Sequence, residues 1–145
     1  MANNPVDIAN QAHVLVGRNV TVYTRDEEWG IVVTPGRLGH VSECVYLTMA
    51  RDRTERGLPP EVVRVMLSTI IGLHPQGQGG VPAGQLHTGH VLRCGPLRGA
   101  KITAVKTPPE FGLGVVRLSC RTSRKTETVW SDARTCLPTT ERPEG

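Results

Sequence analysis

Apolar and polar residues alternate in short runs at both ends of the chain. Three such runs near the N-terminus, at residues 13–16, 19–24 and 29–34, have the spacing of half-buried strands. Four more lie in the second half, at residues 86–93, 100–106, 114–120 and 127–130. The pattern therefore predicts a sheet whose strands come before and after a central segment.

The central segment has a different period, which predicts two helices over residues 42–72. Ser42 can cap the first helix, and Cys44 then lies in its first turn. The second helix is predicted to begin at Pro59 and to end at Gly72, because apolar residues recur between them at helical spacing. These apolar residues are Val63, Met66, Leu67, Ile70 and Ile71. The expected fold is therefore α+β, an antiparallel sheet with a central two-helix segment.

Length and hydropathy fit a single domain over residues 1–145, since a chain of this size can bury a core without disulfide bonds or structural metal ions. Residues 1–12 and 137–145 are polar and are expected to be flexible termini, and residues 74–85 form a Gly/Pro-rich loop. No apolar run is long enough to span a bilayer, and no signal peptide is evident. We therefore expect a cytoplasmic protein that does not associate with membranes.

Basic residues are concentrated in the second half of the chain. The net charge is +4, to which residues 73–145 contribute ten Arg/Lys against five Asp/Glu. Arg117, Arg121, Arg124 and Lys125 form the densest cluster, and such a cluster can bind the phosphates of RNA or DNA. The alternative is a solvated sheet edge that discourages aggregation. Aromatic residues make up only 3% of the chain, which argues against a base-stacking surface.

Cys44 and His90 are the candidate catalytic pair. A cysteine at a helix start has a lowered thiol pKa, and an imidazole brought within reach can act as its general base. His90 lies on a predicted strand, and His40 is a candidate for shaping an oxyanion site with backbone amides near the cysteine. The alternative is that Cys44 is an ordinary small core residue.

Two short strings carry a family resemblance: SECVYL at residues 42–47 and TGHVL at residues 88–92. With the intervening sequence, about residues 39–93, they resemble papain-like leader proteases of positive-strand RNA viruses. Examples are the potyvirus helper-component protease and the hypovirus and arterivirus leader proteases. The resemblance implies a viral cysteine protease, without cofactor, that cleaves its own C-terminal junction, here after Gly145. It also implies a location in the host cytoplasm or the virion.

Two further interpretations remain open. His87, His90 and Cys94, completed by Cys120 or Cys136, have the residue types of a zinc site, but His87 and His90 would point to opposite faces of one strand. No metal is therefore assigned. The second interpretation is a small viral or phage structural or accessory protein, which binds nucleic acid or packs into an assembly through its basic half.

Overall fold

The computed structural model describes residues 5–42, 45–51, 57–76, 81–93, 95–108 and 114–137. These residues form one α-helix, α1 (Pro5–Leu15), and ten strands. The strands are β1 (Asn19–Asp26), β2 (Gly30–Ser42), β3 (Tyr46–Arg51), β4 (Glu61–Met66), β5 (Ile70–Pro75), β6 (Val81–Pro82), β7 (Lys101–Lys106), β8 (Val115–Arg121), β9 (Thr126–Asp132) and β10 (Cys136–Leu137). Short 3-10 turns occupy Leu67–Thr69 and Ala83–Gln85. None of the described helices has the length and apolar character needed to cross a bilayer.

The chain divides into two compact units. The first consists of Met1–Thr24 and Pro35–Gln76, and the second of Arg25–Thr34 and Gly77–Gly145. Strand β2 contributes its beginning to the second unit and its end to the first. The division therefore does not follow the order of the sequence.

Helix α1 supplies part of the core of the first unit. Ile8, Ala12 and Leu15 are buried at the i, i+4, i+7 spacing of one helical face. The helix contacts β5 and the turn at Leu67–Thr69. From Pro5 onward, the segment expected to be a flexible terminus is therefore helical, and the polar residues that suggested flexibility lie on the exposed side of the helix.

Strands occupy the region where two helices were expected. Strand β3 pairs antiparallel with β2 on one side and with β4 on the other, and β5 pairs antiparallel with β1. Leu47 and Met49 alternate into the core from β3, and β4 is rich in valine, whose branched side chain favours strands. The central two-helix segment is therefore not confirmed, while one helix beside a predominant sheet agrees with the broader α+β class.

The second unit contains strands in the order β2, β9, β8, β7. Strands β7, β8 and β9 are antiparallel neighbours, but β2 joins β9 in parallel, so the sheet is mixed and not antiparallel throughout. Gly30 makes this parallel approach possible, because its φ is +96° and a Cβ at this position would lie 2.7 Å from the carbonyl oxygen of Thr128. A short pair, β6 with β10, brings Leu137 into a buried position.

Strand β5 continues to Pro75, and strand β6 and a 3-10 turn lie within residues 81–85. The expected Gly/Pro-rich loop is thus structured at both ends, and residues 77–80 lie outside the described residues. At the C-terminus, β10 extends to Leu137, and residues 138–145 also lie outside the described residues.

Candidate functional site

One side of strands β7 and β8 carries four cations in two cross-strand rows. Alternate residues of β8 are buried, which turns Arg117 and Arg121 to the opposite side of the sheet. Lys106 lies directly across from Arg117, and Lys101 directly across from Arg121. We call the surface formed by Lys101, Lys106, Arg117 and Arg121 the basic face.

The two rows place like charges opposite each other. Side chains directly across an antiparallel pair have Cβ atoms about 4.5–5.5 Å apart, and like charges there are destabilising. On this side of β7, β8 and β9, Asp132 is the one carboxylate among the described residues. The Lys106–Arg117 contact therefore places two positive charges together at a cost in stability.

Both tryptophans of the chain lie beside the basic face. Trp130 on β9 lies across from Arg117, whose guanidinium carbon is 5.7 Å from the centre of the Trp130 ring. The indole N–H of Trp130 donates a 2.7 Å hydrogen bond to the carbonyl oxygen of Trp29. The two rings meet edge to face, with centroids 5.3 Å apart and planes at 84°. Trp29 is 43% exposed, so the pair presents aromatic surface to solvent next to the cations.

The turn between β8 and β9 contains Arg124 and Lys125, the other two residues of the predicted basic cluster. Both are exposed, but the Lys125 ammonium lies 2.9 Å from a carboxylate oxygen of Glu127. Arg25 lies 3.0 Å from the other oxygen of the same carboxylate. The predicted cluster is therefore divided: Arg117 and Arg121 belong to the basic face, whereas Lys125 neutralises a buried acid.

The Glu127 carboxylate is largely buried, which opposes its charge. Burial by itself raises the pKa of this carboxyl, but the hydrogen bonds and positive charges of Lys125 and Arg25 outweigh burial and hold the pKa below its ordinary value. Burial, and then the negative charge of Glu127, raise the pKa of the neighbouring Cys120 thiol to about 12. This thiol therefore stays protonated at neutral pH.

His90 lies in the second unit and is 8% exposed. Its Nδ1 accepts a 3.0 Å hydrogen bond from the backbone N–H of His87. The proton of the neutral ring is then on Nε2, so neither ring nitrogen of this tautomer can take a proton from a thiol without losing that bond. Cys44 lies outside the described residues, and the Cys44–His90 pair stays a prediction. His40 is exposed on β2, across from Thr48.

No three His, Cys, Asp or Glu side chains gather as metal ligands within the described part of the chain. The rings of His87 and His90 lie 5.6 Å apart, and Cys94 lies outside the described residues. Cys136 is exposed, whereas Cys120 is buried.

The basic face contains residues that the sequence does not single out. Lys101 and Lys106 are distant in sequence from the dense cluster, and register across the sheet brings them opposite Arg117 and Arg121. The tryptophan pair joins residues 101 positions apart. Neither arrangement has a local signal, since both depend on which strands pair.

No family model matches the chain, and the comparisons with curated proteins and with solved structures also give no match. The resemblance to viral leader proteases is therefore carried by the short strings at residues 42–47 and 88–92 alone.

Proposed function

We propose that the second unit binds nucleic acid through the basic face. The observation that carries the proposal is the like-charged cross-strand contact of Lys106 with Arg117, with Lys101 and Arg121 on the same side of the two strands. A like-charged contact of this kind lowers the stability of the sheet. A bound polyanion removes this repulsion and releases counterions as it does so, which makes binding favourable.

The layout of the cations favours a polyanion with repeated charges over a small anion. Arg117 and Arg121 are four residues apart on one strand, a distance of about 13 Å. A single phosphate or carboxylate cannot span both positions, whereas a nucleic acid backbone presents charges along its length. Guanidinium groups suit this role because they hold phosphate through paired hydrogen bonds.

In this proposal the protein is a viral or phage accessory protein, acting in the host cytoplasm or the virion. The sequence resemblance over about residues 39–93 supports that setting. The contacts proposed are with phosphate and are therefore independent of nucleotide sequence.

Filter binding across a range of salt concentrations tests the proposal. The wild type should retain RNA or DNA at low salt, with an affinity that falls linearly on logarithmic axes as salt rises. Replacing two phosphate-contacting arginines, Arg117→Gln with Arg121→Gln, should reduce the slope by about 1.4 for a single strand. The matched control, Arg18→Gln with Arg64→Gln, removes two exposed arginines of the first unit and should leave the slope unchanged.

Absence of retention at low salt would overturn the proposal. An equal loss of slope in the two double variants would also overturn it, because binding would then follow net charge and not the basic face.

A further inference from the structure

We infer that the basic face takes single-stranded nucleic acid, with an unpaired base stacked on the Trp29–Trp130 pair. This inference rests on the proposed function and names the class of nucleic acid that the same site binds. Its structural basis is the position of both tryptophans beside Arg117.

The geometry and exposure of the tryptophan pair suit contact with an apolar, planar ligand. The one polar group of the Trp130 side chain donates to the carbonyl oxygen of Trp29, and the exposed part of Trp29 offers aromatic surface to a ligand. Edge-to-face packing fixes the angle between the rings before any ligand arrives. A nucleobase is planar and stacks on an aromatic ring whatever its identity, which suits a site that reads no sequence.

The cations beside Trp130 disfavour, at that ring, the other common ligand of an exposed tryptophan. Aromatic rings also bind quaternary ammonium groups and other cations. Here the Arg117 guanidinium already lies over the Trp130 ring, and Lys106 is directly across from Arg117. A cationic ligand would meet repulsion on the Arg117 side of the pair, whereas a phosphate attached to a base would be attracted there.

A duplex fits this surface poorly for two reasons. Strands β2, β9, β8 and β7 lie side by side, so the axes of the outer two are about 14 Å apart. The major groove is about 12 Å wide and admits a helix or a two-stranded ribbon, not a sheet of this breadth. In a duplex the faces of the bases are also covered by stacking on their neighbours, and the tryptophan ring would have no base face to contact.

The turn between β1 and β2 gives the bound strand an orientation. The backbone amides of Glu28 and Trp29 both donate to one carboxylate oxygen of Asp26, at 2.8 and 3.0 Å, which fixes the position of Trp29. Glu27 and Glu28 are exposed in the same turn and repel phosphate. The backbone of the ligand therefore lies over β7 and β8, and the base points toward Trp29.

Binding of labelled oligonucleotides, followed by fluorescence anisotropy with the full chain, tests the inference. The probes are oligo(dT), oligo(U) and a DNA duplex of equal length. The wild type should bind a single strand more tightly than the duplex. Tighter binding of oligo(dT) than of oligo(U) would identify DNA as the ligand, and the reverse order would identify RNA. Because the two tryptophans are the only ones in the chain, single strands should also quench the intrinsic tryptophan fluorescence.

Three variants isolate the stacking contact. Trp29→Leu keeps the carbonyl that Trp130 needs but removes the aromatic ring, and it should weaken single-strand binding about 5- to 150-fold. Trp29→Phe keeps a stacking face and should retain most of the affinity. Val62→Ala changes a 71% exposed apolar residue of the first unit and should have no effect. Thermal unfolding of each variant confirms that the fold is kept.

The outcomes separate the two proposals. If no nucleic acid binds at low salt, the proposed function and this inference both fail. If single strand and duplex bind equally and Trp29→Leu binds as the wild type does, stacking is excluded while the proposed function stands. If poly(glutamate) at the same charge concentration displaces oligo(dT) and quenches the tryptophans equally, the face takes an acidic polypeptide and the inference is overturned.

Discussion

At the scale of single residues, Glu127 has a defined electrostatic role in the second unit. Its carboxylate is nearly inaccessible to solvent, yet it is charged because Arg25 and Lys125 contact one oxygen each. Arg25 lies on β1 and Lys125 in the turn before β9, so the carboxylate connects segments that are far apart in sequence. Removal of either partner would destabilise the fold strongly, because it would leave a buried charge without full compensation.

We expect Glu127→Gln to lower the free energy of unfolding by about 1–2 kcal/mol at neutral pH, because it removes charge-assisted hydrogen bonds from two exposed partners. The pKa of Glu127 is lower in the folded protein than its ordinary value of 4.5. At pH values above 4.5 the charged carboxylate therefore contributes its full stabilisation to the fold. This contribution is lost as the pH falls through the lower pKa that Glu127 has in the folded protein.

Urea unfolding at a series of pH values measures this effect. The difference in unfolding free energy between the wild type and Glu127→Gln should shrink in the acid range. A difference that stays constant down to the most acidic pH would contradict the assigned role of the carboxylate.

Cys44 is the residue on which the sequence-based protease prediction depends. A fusion that extends the chain beyond Gly145 should be cut after that glycine if the prediction holds, and Cys44→Ala should abolish the cut. Electrophoresis and mass spectrometry of the released fragment measure this directly, with Cys136→Ala as the matched control. An uncut wild-type fusion would contradict the protease prediction without affecting the nucleic-acid proposal.

At the scale of secondary-structure elements, the first unit shows why apolar spacing misled the prediction. Met66, Leu67, Ile70 and Ile71 follow helical spacing, but the 3-10 turn at Leu67–Thr69 produces this spacing by joining two strands. An alternating pattern that shifts its phase at a turn resembles a 3.6-residue period over ten residues. The dense run of β-branched residues in β4 was the local signal for a strand.

The parallel pairing of β2 with β9 depends on Gly30. Gly30→Ala should destabilise the protein more than Gly99→Ala does, by about 1–3 kcal/mol. Both glycines have a positive φ, +96° and +89°, so both variants carry backbone strain. At Gly30 the added Cβ also meets the Thr128 carbonyl oxygen, while nothing lies within 4 Å of a Cβ at Gly99.

Chemical denaturation of the two variants checks this expectation. Equal destabilisation of the two would contradict the close approach of β2 and β9 at this position.

At the scale of the whole molecule, the sequence predicts several strands but not their partners, and residues 13–15 of the first predicted strand belong to α1. The alternating runs at residues 100–106, 114–120 and 127–130 correspond to β7, β8 and β9. The local sequence does not predict that β2 pairs in parallel with β9, because this contact joins segments about a hundred residues apart. The packing of the whole unit determines the pairing. Trp29 contacts Trp130 only through this pairing, so the composition of the chain could not predict that the two tryptophans lie together.

The variant Lys106→Glu separates the stability of the basic face from its ability to bind nucleic acid. The new carboxylate faces Arg117 across the sheet and replaces repulsion with attraction. The free energy of unfolding should rise by about 0.2–1 kcal/mol, while the affinity for single-stranded nucleic acid at low salt should fall. A variant that loses stability and still binds as the wild type does would contradict the claim that the basic face holds like charges in order to bind a polyanion.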